Sequence, residues 1–388
     1  MKRIHSYNEC RLSARRGSIV TRRQFGLLAS SALFGGCTAP SQGGRDVGDP
    51  AVEPRRSESN EPAEEGPMDV LSAIGNTSIV RLRKVVPPNG ADVFVKLEGE
   101  NPTGSLKDRM AHALISLAEQ DGRLKPGDTV VEYTGGSTGT SLALVCAVKG
   151  YRLRIVSSDA FSQEKLDHMA ALGAELTIVP SEGGRTTKKL ILDMIETARG
   201  LSQEPNTYWT DQLNNQDGIT GFYSLGEEIW RQTRGEIDAF VHSVGTAASS
   251  RGVATVLKRY KPSIQIVAVE PAESSVLRGG QPGPHHIEGV GIGYAPPLWE
   301  PTLVDEILPV STDDAKDMAR RIAREEALFA GTSSGANVVA AIRVAERLGS
   351  DARVVTLMAD SGLKYLSTDV YRSRQDTVQK RNGKDETL

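Results

Sequence analysis

The sequence predicts an α/β protein with mostly parallel sheets covered by helices on both faces. Two observations carry this. From about residue 68 onward, short β-rich runs alternate with longer amphipathic ones and no internal repeat appears. Three loops of glycine and hydroxylated residues each open a helix, two of them directly after a strand, where open α/β sheets bind ligands. A chain of 388 residues with 38% hydrophobic and 24% charged residues has ordinary globular composition, and its length suits two domains.

The elements follow in order. "DVFVKLE" (92–98) reads as a strand, and "DRMAHALISLAEQ" (108–120) as a helix with Met110, Leu114 and Leu117 on one face. "TVVEYT" (129–134) is a strand running into "GGSTGTS" and then the apolar helix "LALVCAVKG", where Cys146 packs as a small hydrophobe. "YRLRIVS" alternates as a strand, "SQEKLDHMAALG" follows as a helix, and "AELTIV" returns as a strand. "AFVHSV" (239–244), "QIVAVE" (265–270) and "RVVTLM" (353–358) are short buried strands. The three loops are "TGGSTGTS" from Thr134, "SVGTAASS" after residue 242 and "GTSSGAN" (331–337), and each opens a helix. A helix start entered through small residues is an anion site, although one such loop alone is mostly a plain turn or cap.

Charge and cysteine usage exclude several classes. A net charge of −3 supplies no basic footprint for nucleic acid, so a small-molecule partner is favoured. Cys10, Cys37 and Cys146 form neither a disulfide framework nor a metal-ligand spacing, and no metal is expected. His285 and His286 in "PGPHHIEG" lack further ligands, so a loop role is expected for them. Residues 21–37, "TRRQFGLLASSALFGGC", resemble a twin-arginine export signal ending in a lipobox, with Phe34 where a smaller aliphatic residue is usual. This implies export to the periplasm or cell surface, with Cys37 as a lipidation site that could attach the protein to a membrane. The alternative is a cytoplasmic enzyme with a basic leader. Residues 38–67, rich in Pro, Gly, Ser, Glu and Arg, read as a disordered linker.

In "ENPTGSLKDRM" (100–110), Lys107 stands at a strand-to-helix turn. A lysine near several anion-binding helix starts can form an imine with a carbonyl cofactor, and pyridoxal 5′-phosphate carries both the aldehyde and the phosphate such a site would hold. From "SLKDR" alone, a surface lysine opening a helix is the plainer reading. Asp108 and Arg109 are expected to pair locally or to brace this turn.

Over residues 68 to about 370 the sequence resembles the cysteine synthase and cystathionine β-synthase group of fold type II pyridoxal phosphate enzymes. The resemblance rests on "IGNTSIVRL" (74–82), "KLEGENPTGSLKDR", "AVEPAESSVLRGGQPGPHHIEGVGIGYAPP" (268–297) and "EEALFAGTSSGAN" (325–337), which arrive in the family's order. It implies a tryptophan synthase β-like fold of two domains, each with a mostly parallel sheet flanked by helices, and commonly a homodimer. It places the Schiff base on Lys107 and the pyridine-facing hydroxyl on Ser333. The substrate carboxylate falls to Thr134, Gly135, Gly136, Ser137 and Thr138, with Ser137 also facing the cofactor ring oxygen, and to Gln212. The phosphate cup falls on Gly245, Thr246, Ala247, Ala248 and Ser249. The late segment "DSGLKY" (360–365) resembles one near the pyridine end.

The implied reaction is β-replacement on an O-activated serine through an aminoacrylate, O-acetylserine and sulfide or a thiol forming cysteine, with Lys107 moving the α-proton. A serine at the pyridine nitrogen makes a weaker electron sink than a carboxylate and favours β-chemistry. A cysteine desulfhydrase and a cystathionine β-synthase-like lyase remain alternatives. Ser137 replaces an asparagine, and Ala247 and Ala248 replace two glycines, so the cup must use ordinary backbone angles or accept strain. These departures leave room for a non-enzyme reading, an exported amino-acid- or cofactor-binding protein with weakened catalysis. The expected organisation is a large cofactor-binding domain from 68–108 and 220–370, a smaller mobile domain from 109–219, and a tail at 371–388.

Overall fold

The computed structural model describes residues 68–184 and 187–372; the leader with Cys37, the linker and the tail from residue 373 on lie outside the described residues. In chain order the strands and helices are β1 (Ile79–Arg81), β2 (Asp92–Leu97), α1 (Lys107–Gln120), β3 (Thr129–Tyr133), α2 (Ser137–Lys149), β4 (Arg152–Ser158), α3 (Gln163–Ala171) and β5 (Glu175–Val179). There follow α4 (Lys188–Ser202), β6 (Thr207–Trp209), α5 (Asp217–Thr220), α6 (Tyr223–Gln232), β7 (Ala239–Ser243), α7 (Ala248–Tyr260) and β8 (Gln265–Pro271). The last are β9 (Glu306–Val310), α8 (Thr312–Glu325), α9 (Thr332–Leu348) and β10 (Arg353–Met358).

Two sheets result. The larger has the order β1-β2-β10-β7-β8-β9, parallel except for β1 against β2, and the smaller is the parallel β5-β4-β3-β6. Every strand named from the sequence forms. β1 and β6 carry three residues each, too few for a legible period, and both lie on sheet edges. β9 tolerates Pro309 because it too is an edge strand.

Strand alternation puts Ala239, Val241, Val267, Val269 and Val354 into one core beneath α8 and α9. Their neighbours Phe240, Ile266, Ala268, Val355 and Leu357 enter a second core under α6 and α7. Each fully buried Val or Leu contributes roughly 1.5–3 kcal/mol. Helix α1 departs from the expected single stripe, for Leu117 is only partly buried. Instead Met110 and Leu114 join Phe222 and Phe240 in the core of the larger sheet, while Ala111, Ile115 and Ala118 join Leu142 and Ile155 in that of the smaller. A helix wedged between two sheets needs two apolar faces, which no single 3.6-residue stripe describes. Cys146 is buried in the smaller sheet's core, as its helix pattern predicts, and burial pushes its thiol up to about 12.

Candidate active site

The turn before α1 is built to present Lys107. Gly104, at φ +74°, reverses the chain, and the Leu106 N–H then donates to the Ala359 carbonyl at 2.9 Å. The Ser105 hydroxyl accepts from the Lys107 N–H at 3.2 Å, and Asp108 accepts the Thr103 N–H at 2.8 Å and its hydroxyl. Asp108 therefore braces the turn, whereas Arg109 reaches away from it to Glu98 and Glu228 instead of pairing with its neighbour. Burial pulls the Lys107 amine down to about 8, against the attraction of Asp360 and with the repulsion of Lys364. An amine at that value offers both a neutral and a protonated form near neutrality.

Strand β3 ends at the loop 134–138, as the sequence predicts. The Gly136 N–H donates to the Thr134 hydroxyl at 3.1 Å, and the Thr134 carbonyl accepts from Ser157 at 2.9 Å. A Cβ on Gly135 would sit 2.4 Å from the Phe161 ring, which packs over this loop from the turn before α3, so a larger residue would displace that ring. Gln212 is brought to this loop, but its amide is engaged with the protein: its oxygen accepts from the Thr138 hydroxyl at 2.8 Å and its nitrogen donates to the Tyr133 carbonyl at 2.9 Å. Beneath it Glu132 accepts the Gln212 N–H at 3.0 Å and is pushed up by burial to about 7, a group that sequence reading missed.

Strand β7 ends at Gly245–Ser249. Among the described residues the N–H groups of Gly245, Thr246 and Ala247 have no hydrogen-bond partner. Ala247 adopts φ +69° while buried, so the loop accepts strain, the second of the two outcomes its sequence allowed. An αL residue entering a helix makes a concave nest of N–H donors suited to an anion. A Cβ on Gly245 would lie 2.3 Å from the Gly289 carbonyl, which shows how tightly the segment 285–291 covers this cup. His285 braces that segment through its ring Nε2 and the Gly291 carbonyl, 2.8 Å apart.

Ser333 lies buried in the first turn of α9. The bridges Ser105–Asp360 and Ala330–Ser361 draw the chain after β10 against both the lysine turn and the start of α9. Asp360 lies against both the loop 134–138 and the start of α9. Its Oδ2 accepts from the Tyr365 hydroxyl at 2.7 Å and lies 3.5 Å from the Ser137 hydroxyl. Among the described residues, Asp360 Oδ1 and the Lys364 ammonium are buried with no hydrogen-bond partner. Burial raises Asp360 and lowers Lys364. Close by, Lys165 pairs with Glu288 and stands 4.6 Å over the Tyr365 ring. No local signal marks these groups, because strand order brings them to the lysine.

The residues fit pyridoxal phosphate: a half-buried amine of lowered basicity, orphaned polar atoms whose charges act on it, and a strained cup of free N–H groups. The bound cofactor would supply an aldehyde for the amine and an electron-withdrawing ring for the substrate's α-carbon.

Comparison with known proteins agrees. A family model described as "Pyridoxal-phosphate dependent enzyme" matches residues 70–360. The chain is 44% identical over 308 residues to a cysteine synthase of Staphylococcus aureus, a match covering 79% of this chain and 97% of the relative. Among solved structures, the cysteine synthase of Entamoeba histolytica superposes with a TM-score of 0.75 at 36% identity, covering 82% of this chain and 95% of that one. A hydrogen sulfide-producing enzyme of Fusobacterium nucleatum superposes with a TM-score of 0.71 at 35% identity, covering 77% and 99%. A chain matched over residues 70–360 by this family model, and over most of its length by cysteine synthases, is thus a pyridoxal-phosphate dependent enzyme of the cysteine synthase and cystathionine β-synthase family.

Proposed function

We propose that the enzyme forms cysteine by β-replacement, taking O-acetylserine and sulfide. The observation that carries this is Lys107, its basicity lowered, in the turn that opens α1 of a chain that covers 97% of a cysteine synthase at 44% identity. In this reading Lys107 removes the proton at the substrate's α-carbon and later returns it. The loop from Thr134 to Thr138 (Thr134, Gly135, Gly136, Ser137, Thr138) orients the carboxylate through its N–H groups and hydroxyls, and Gln212 locks Thr138 in place. Ser137 also reaches the ring oxygen, Ser333 faces the pyridine nitrogen, and the cup at Gly245, Thr246, Ala247, Ala248 and Ser249 holds the phosphate. The segment carrying the smaller sheet moves as a lid, from about residue 109 to 219, and excludes water from the reacting carbon.

The protein acts as a homodimer outside the cytoplasm, exported by the paired arginines Arg22 and Arg23 and lipidated at Cys37. The sequence "TRRQFGLLASSALFGGC" supports the export and lipidation, and the dimer follows from the family resemblance. The likeness to a hydrogen sulfide-producing enzyme favours a second reading, in which water replaces sulfide and cysteine is degraded. An absorbance spectrum decides. A visible band that shifts when O-acetylserine is added and recovers with sulfide is the expected result; sulfide release from cysteine at a higher rate than its synthesis would favour the second reading. Membrane fractionation of cells expressing the full chain and its Cys37→Ala variant tests the anchor.

A further inference from the structure

We infer that His242 is a positioning residue that turns the Ser249 hydroxyl into the phosphate cup as an obligatory donor. The inference rests on the reading of residues 245–249 as that cup. His242 lies buried on β7, and its Nε2 is 2.8 Å from Ser249 Oγ in the first turn of α7. Which nitrogen carries the proton follows from Asn337. The Asn337 Oδ1 accepts the Ser243 N–H at 2.7 Å, and its Nδ2 donates to the Leu357 carbonyl at 2.9 Å. Two backbone groups of invariable role thus settle the amide's orientation.

The second Nδ2 hydrogen can then face only the imidazole Nδ1, 3.4 Å away. That contact is long, yet it is the sole hydrogen-bond partner of Nδ1 among the described residues. An acceptor at Nδ1 leaves the proton on Nε2, which donates to Ser249 Oγ. The serine oxygen accepts this bond, so its own hydrogen cannot point to the imidazole and must go elsewhere. The nearest use for it is a phosphate oxygen in the cup, whose N–H groups await an anion. Burial and the Lys107 charge hold the imidazole down to about 3, so the neutral ring and its tautomer persist throughout the neutral range. Nothing in "AFVHSV" announces this, since a lone histidine on a buried strand has no local pattern to mark it.

The test compares two ligands of the cofactor-free protein by absorbance titration: pyridoxal phosphate, and pyridoxal, which lacks the phosphate. His242→Ala is expected to raise the dissociation constant for pyridoxal phosphate about tenfold or more, the scale of one hydrogen bond to a charged group. The constant for pyridoxal should stay within roughly twofold, because only the phosphate contact is lost. His242→Gln, which retains a donor, should recover most of the difference. Ser249→Ala should lose as much, and adding His242→Ala to it should cost nothing further. Equal losses for both ligands, or additive losses in the double variant, would overturn the relay. If Ser249→Ala binds pyridoxal phosphate normally, the cup reading itself fails and the relay with it. If Ser249→Ala weakens binding while His242→Ala does not, only the relay fails. Should His242→Ala not fold, the His242→Gln and Ser249→Ala pair still decides through the ratio of the two ligands.

Discussion

Two clusters of buried charge flank the first turn of α1, and they are built on opposite principles. In the first, the Arg109 guanidinium donates to both oxygens of Glu98 and both of Glu228, Lys96 donates to Glu228 at 2.6 Å, and Thr77 and Asn101 cap Glu98. Despite burial, which opposes it, these bonds hold Glu228 down to about 2. In the second, Asp360 and Lys364 are also buried and Lys107 is half-buried, yet the Lys364 ammonium and one Asp360 oxygen have no partner among the described residues. A satisfied network holds one geometry; an unsatisfied one is held in place by its surroundings and keeps capacity for something that arrives. The first joins β2, α1 and α6, and the second faces the candidate active site.

Breaking each cluster should therefore break different things. Lys107→Ala is expected to lower cysteine formation by at least ~10³-fold, on the scale of a lost general acid–base group, with thermal stability little changed. Steady-state kinetics and a melting curve measure both, and an active variant would sink the assignment. Glu228→Ala should do the reverse, costing about 3–5 kcal/mol because the buried Lys96 loses its carboxylate partner and the buried Arg109 keeps only Glu98. Denaturant unfolding measures that; a loss below about 1 kcal/mol would mean the pairs are more solvated than their geometry implies.

The second cluster can be sharpened through pH. Lys107 must be neutral to capture an aldehyde, so the rate at which the cofactor-free protein takes up pyridoxal phosphate should rise with pH through a midpoint of about 8. Asp360→Asn removes the charge that raises Lys107 and should move this midpoint to lower pH. Lys364→Met removes one that lowers it and should move the midpoint up. Shifts of the same sign in both variants would show that the electrostatic picture is wrong. The smallest effect is at the cup, where Ala247→Gly should stabilise the protein by about 1 kcal/mol by relieving the αL alanine, as a melting curve would show.

Much of this was legible in the sequence, and for a physical reason. Strand and helix signals are local, so every strand named from the sequence formed where its alternation or its short apolar run lay, and all three small-residue loops opened the helices expected of them. Lys107 was legible because its turn, its lysine and its helix start are neighbours in the chain. The strain at Ala247 was foreseeable as one of two outcomes, since an alanine in a tight anion-binding turn must either avoid positive φ or accept it. Asp360 was named only as part of its segment, and Glu132, Lys364 and His242 were not singled out at all.

Those four act through burial and through partners distant in the chain, which no window of residues contains. Insertion of β10 between β2 and β7 lays Asp360 against Ser105 and sets Asn337, in the helix before β10, beside His242. The fold class, the lysine and the three helix starts thus belong to the sequence, because period, turn chemistry and helix entry are settled within a few residues. The charge state of the lysine, the proton on the histidine and the unpaired groups around the site belong to the tertiary structure. They depend on desolvation and on contacts made only when separate strands pack side by side.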